Sequence, residues 1–206
     1  MLLVTMVWLL SLQGCSLSPK KVPGEPMVDS EKQTIPITDA NGNPYANTEQ
    51  DVIRQQFAQS LTLIQSGQHE QAERVLYSLR NKYPHLSGIY VNLAMIYWHK
   101  EVPEKAEAFN KQALELNRNN ADAWVFEGIM QRNRGNFLAA ETAYRTAIAV
   151  NPNHQNAWLN LAFLKDLYLG EYSDALQCYT QYAQLNPQDK RTENWMIDLK
   201  RRMESS

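Results

Sequence analysis

Few side chains in this sequence are spaced for chemistry. The reactive set is small: two cysteines, Cys15 and Cys178, and four histidines, His69, His85, His99 and His154. A metal site needs three or four His, Cys or carboxylate ligands at short recurring spacings, and none of these histidines has such neighbours. No phosphate loop, nucleophile elbow, dinucleotide fingerprint or H-E-x-x-H pair occurs. The residues therefore point away from catalysis, a metal or a cofactor, and the chain reads as a non-enzyme. Cys178 falls in an apolar helical stretch beside Tyr179 and reads as a half-buried structural thiol, with a redox or intermolecular role as the other reading. His69 and His85 fall on predicted turns. Cys15 is different, because it ends an almost unbroken apolar run.

That run, Leu2 to Leu12, stands apart from a chain that is 44% hydrophobic and 20% charged, with a net charge of −2. The charge balance and the lack of a basic block exclude nucleic acid as a natural partner. At 1.5 Å rise per residue, about 11 residues are too short to cross a hydrocarbon core of roughly 30 Å. They fit the apolar region of a signal peptide. Leu12-Gln13-Gly14-Cys15 resembles the bacterial lipobox: an aliphatic residue at −3, a small one at −1, then cysteine. The resemblance implies that residues 1–14 are removed and that Cys15 becomes an acylated, palmitate-bearing N-terminus. It departs from the pattern in having no basic side chain before Lys20. Ser16 stands where aspartate is the usual inner-membrane retention signal, which implies an outer-membrane lipoprotein facing the periplasm. Residues 15–50 carry five prolines and Asn41-Gly42-Asn43-Pro44, without apolar periodicity. They read as a flexible tether, reaching roughly 30–35 Å for about 35 residues. Its one short apolar piece, residues 33–38, has the composition to fold back on the rest of the chain.

Beyond the tether the sequence repeats. Blocks 53–86, 87–120 and 121–154 each span 34 residues, and 155–188 follows with one residue more. Small residues recur at the eighth position (Ser60, Ala94, Gly128, Ala162) and alanine at the twentieth (Ala72, Ala106, Ala140, Ala175). Tyr90, Trp124 and Trp158 stand fourth, Gly67, Gly135 and Gly170 separate the halves, and Pro84, Pro152 and Pro187 close three blocks. Apolar residues within each half keep helical spacing. These positions resemble the tetratricopeptide repeat. The resemblance implies an all-α fold: a right-handed α-solenoid of four helix hairpins over 51–188. Residues 189–206 hold the stripe Trp195, Leu199 and Met203 and read as a C-terminal capping helix, with a partner-binding helix as the other reading. The small residues let two helices approach closely. Arg118 replaces a closing proline, Glu127 and Gln131 stand where Leu and Tyr are usual, and the extra residue near 167–169 predicts a bulge.

In this repeat the first helix of each pair lines a concave face. Here its fifth, ninth and twelfth positions are Phe57, Leu61 and Ile64; Val91, Met95 and Trp98; Val125, Ile129 and Arg132; and Leu159, Phe163 and Asp166. The apolar fifth and ninth positions predict a groove that binds a protein or peptide segment by area burial. Lipid anchor, tether and solenoid together resemble the pilotin lipoproteins of type IV pilus and secretin systems. The same architecture suits an accessory of a TonB-type or polysaccharide-export machine, or an adaptor of a cell-wall enzyme. The spacing sets no oligomeric state. Metabolic labelling with an alkyne analogue of palmitate is expected to mark the protein at Cys15, and Cys15→Ala to abolish both label and membrane fractionation. A labelled Cys15→Ala protein would disprove the lipobox reading.

Overall fold

The structure, a computed structural model, describes residues 47–205. Cys15, the signal segment, residues 33–38 and nearly all of the tether lie outside the described residues. Among the described residues nine α-helices follow one another: α1 (Asn47–Gln65), α2 (His69–Lys82), α3 (Ser87–His99), α4 (Pro103–Leu116), α5 (Ala121–Asn133), α6 (Phe137–Val150), α7 (Gln155–Phe163), α8 (Tyr172–Leu185) and α9 (Arg191–Glu204). Among the described residues there is no strand, and no helix is long and apolar enough to cross a membrane. The fold is the expected all-α solenoid of helix hairpins. Helix α1 begins six residues before the first 34-residue block and takes in positions 47–50 that the tether reading had claimed.

Each hairpin forms because its two helices can touch. The eighth-position side chains Ser60, Ala94 and Ala162 are fully buried, as are Ala72, Ala106, Ala140 and Ala175 at the twentieth. Gly128 is the extreme case. A methyl group there would overlap the ring of Tyr144, which lies fully buried across the hairpin. The turns are equally specific. Gly67, Gly135 and Gly170 have φ of 73°, 79° and 68°, in the left-handed region that glycine enters without strain. In the second hairpin Glu101 takes that conformation instead, with φ 57°.

Two recurring hydrogen bonds link successive hairpins. The fourth-position aromatics close the preceding turn: Tyr90 donates to the Pro84 carbonyl at 2.7 Å, Trp124 to Arg118 at 2.8 Å and Trp158 to Pro152 at 2.8 Å. The bond survives the loss of proline at 118 because it uses the backbone carbonyl. The first helix of a pair is then capped by the last residue of the previous block. Asn120 accepts from the Ala123 N–H at 3.1 Å and donates to Ser87 at 3.0 Å. His154, buried, accepts from the Ala157 N–H through Nδ1 at 3.2 Å, while its Nε2 lies 3.0 Å from Asp122. Accepting at Nδ1 leaves the proton on Nε2, so the ring donates to the carboxylate. Each cap also ties its helix to the start of the hairpin before.

The bulge expected near 167–169 is a π turn, Leu164–Leu169. One extra residue is absorbed by i→i+5 hydrogen bonding, and the insertion turns Lys165 and Asp166 into the protein, where both are buried. His69 does not sit on an open turn: it starts α2, half-buried, with its ring stacked on His99 at 5.0 Å. The α9 stripe is only partly right. Leu199 is fully buried and Trp195 half-buried, but Met203 is exposed, and Thr192 takes a buried place instead. Cys178 is buried rather than half-buried, and burial pushes its thiol up to about 11.

Gly128→Ala should destabilise the array by about 1–2 kcal/mol. Overpacking of about 1–3 kcal/mol outweighs the roughly 0.5–1 kcal/mol gained from helix propensity. Urea unfolding of the two proteins measures it; a more stable variant would show that the ring moves aside freely.

Candidate functional site

The apolar residues predicted to line a groove are core residues in this structure. Eleven of the twelve are buried: Phe57, Leu61, Ile64, Val91, Met95, Val125, Ile129, Arg132, Leu159, Phe163 and Asp166. Trp98 alone is half-buried, with its ring edge-on to Phe126 at 6.2 Å. Three overlapping clusters account for them. Phe57, Leu61 and Ile64 pack with Leu76, Leu79, Leu93 and Ile96. Val91 and Met95 pack with Phe126 and Met130. Val125, Ile129, Leu159 and Phe163 share a cluster with Tyr144, Tyr179 and Leu199. The expected open apolar trough is corrected to packed inter-helix surface, because Val, Ile, Leu and Phe at these spacings satisfy a neighbouring helix as readily as a ligand. Burying each such side chain stabilises the array by roughly 1.5–3 kcal/mol.

The last hairpin shows what the two charged members do. Asp166 accepts from Tyr179 Oη at 3.1 Å and pairs with Arg202 of α9 at 2.8 Å. Burial and the Asp166 charge hold the Tyr179 hydroxyl far above its ordinary value. Arg132 donates to Asn160 at 3.3 Å and lies 5.8 Å from the Tyr168 ring centre. Lys165, buried in the π turn, pairs with Glu141 at 2.8 Å and with Glu171. Burial works against its charge, but the two carboxylates prevail and raise its pKa. Helix α9 is fastened by Asp166–Arg202, by Trp195 against Phe163 at 5.1 Å, and by Asp189 before its first turn. Asp189 accepts from Arg191 Nε at 2.8 Å, Arg191 Nη2 at 2.7 Å and Tyr182 Oη at 2.8 Å.

An open concavity lies elsewhere, between α4 and α5, where the second and third hairpins meet. It holds about 540 Å³ and is lined by Glu107, Lys111, Glu115, Arg118, Trp124, Glu127, Gln131 and Arg134, with Ala108 and Leu114. At the first joint the corresponding positions are Leu76 facing Leu93 and Tyr97, and all three are buried. Here they are Asn110, Glu127 and Gln131. Asn110 Nδ2 donates to the Ala123 carbonyl and to Glu127, each at 3.2 Å, and Gln131 donates to Glu127 at 2.7 Å. The polar substitutions at 127 and 131 were legible in the sequence. Asn110 was not, because one asparagine at a helical core position carries no periodic signal. Among the described residues no group of three or more His, Cys, Asp or Glu is placed to hold a metal ion.

The tetratricopeptide-repeat profiles match residues 127–162 and 87–120. Two stretches of the array thus match the tetratricopeptide-repeat pattern. The solved structures similar to the chain share its fold. PilF of Pseudomonas aeruginosa is 18% identical over 77% of this chain and 72% of that one, with a TM-score of 0.66. A thermophilic tetratricopeptide protein of Thermus thermophilus is 21% identical over 70% and 79%, with a TM-score of 0.61. The first tetratricopeptide domain of Spaghetti, bound to an HSP90 peptide, is 14% identical over 57% and 94%, with a TM-score of 0.53. No curated protein sequence matches the chain significantly.

The Asp189 clasp predicts a pH dependence of the capping helix. Hydrogen bonds from Arg191, then Tyr182, hold this carboxyl at about 2 against an ordinary 3.8, with burial opposing them. Because the folded value is depressed, the contribution is complete above about pH 4 and is lost as pH falls towards 2. The Trp195 indole N–H resonance is expected to shift over that window. Asp189→Asn should remove the step; an unchanged titration in the variant would assign it to another group.

Proposed function

We propose that this protein is a periplasm-facing scaffold, held on the outer membrane by acylated Cys15, that binds a protein partner and aids assembly of an envelope complex of the pilus or secretin type. The observation that carries the scaffold reading is the cleft between α4 and α5. The joint between the second and third repeats opens into a polar concavity with an indole in its lining. The lipobox, the length of the tether and the likeness of fold to PilF and to a peptide-bound array support the same reading. The tether sets the array within a few nanometres of the bilayer, where a barrel or ring subunit would meet it.

A photo-crosslinking residue placed at Lys111, on the exposed rim of the cleft, tests this in intact cells. The expected adduct contains a secretin subunit, and deletion of the protein is expected to deplete secretin multimers. An adduct with a TonB-type, polysaccharide-export or cell-wall component instead would overturn the secretin assignment. No adduct at all would overturn the scaffold reading.

A further inference from the structure

Glu127 is out of place for a helix joint. Leu93 and Leu161 hold the same position in the neighbouring repeats and are buried in the core. Two neutral amides hold the Glu127 carboxylate, Gln131 on one oxygen and Asn110 on the other, at 2.7 and 3.2 Å. No lysine or arginine among the described residues lies within ion-pair distance of it. The other two carboxylates of the cleft are already compensated, Glu107 by Arg134 and Glu115 by Lys111. Behind Glu127 stands Asn110, fully buried, whose Nδ2 is spent on Ala123 and Glu127 and whose Oδ1 has no partner. A buried acceptor without a donor is a standing cost, and it sits beside a carboxylate without a cation. Both deficits have one sign: the cleft at Glu127, and the buried amide behind it, lack positive charge and hydrogen-bond donors.

The wall supplies the rest. Trp124 lines the cleft, half-buried, and its Nε1 is pinned to the Arg118 carbonyl at 2.8 Å, so the ring is held in place. The face of a fixed indole attracts a cation, more so where water is partly excluded. Amide, carboxylate and indole together match the ammonium or guanidinium of a basic side chain and its apolar stem.

We propose that the cleft between α4 and α5 receives a lysine or arginine side chain presented on an exposed segment of a partner protein, with Glu127 as counter-charge and Trp124 as its wall. The proposal rests on the scaffold reading above and names the chemistry of the partner. Neutral and acidic segments find no equivalent match at Glu127; the exposed Arg118 on the rim is the feature an acidic segment would seek instead.

The test uses the full-length protein in detergent and three blocked tripeptides, Gly-Arg-Gly, Gly-Gln-Gly and Gly-Glu-Gly. The readout is the Trp124 indole N–H resonance, assigned with Trp124→Phe. The arginine peptide is expected to move it saturably, and the other two are not. Glu127→Gln, nearly the same shape, should weaken that binding by about ten-fold or more with an unchanged melting midpoint, whereas Arg118→Gln should leave it unweakened. Three results overturn the proposal: no saturable shift with the arginine peptide, an equal or larger shift with the glutamate peptide, or wild-type affinity in Glu127→Gln. None of these touches the crosslinking result at Lys111, so the two readings fail separately.

Discussion

Everything in this array depends on how closely two helices of one hairpin approach. The helices approach closely because the eighth and twentieth positions carry next to nothing beyond Cβ in every repeat. Gly128 against Tyr144 is the tightest instance: the glycine makes room for a whole ring, and the ring fills the space between the two helices. Once a hairpin closes, it still has more apolar surface than it can cover, so hairpins must stack. Stacking brings the fourth-position aromatics over the preceding turn and the capping Asn120 and His154 against the previous hairpin.

The same rule explains where polarity is tolerated. A solenoid is stable as a sum of neighbouring joints, so one joint can be weakened if the others hold. The joint between the second and third repeats is the weakened one. Asn110, Glu127 and Gln131 stand where the first joint has Leu76, Leu93 and Tyr97, while Met95, Phe126 and Met130 keep the first helices in contact on the other side. The last repeat bends the pattern differently. An inserted residue opens a π turn, and the buried charges it turns inward are met by Glu141, Glu171 and Arg202. There the polar groups are compensated and lock the capping helix; at the open joint they are not.

Periodicity made the hairpins legible, because helix contacts within a repeat are local and recur every 34 residues. The glycine turns, the small contact residues, the π bulge and the polar departures at 127 and 131 could all be read off the register. The groove could not. Positions five and nine are apolar in a repeat that binds through them and also in one that buries them, and Phe163 illustrates the difference, since it faces Tyr179 and Trp195. Met203 shares the i, i+4 spacing of Trp195 and Leu199 yet is exposed.

The sequence by itself determined the repeat, its length and its turns, because each rests on residues within one block. Only the tertiary structure decided which apolar positions are covered and which joint stays open. Burial depends on what the next hairpin brings to the same space, and a pair such as Asn110 and Glu127 acquires meaning only when two helices from different repeats set them at 3.2 Å.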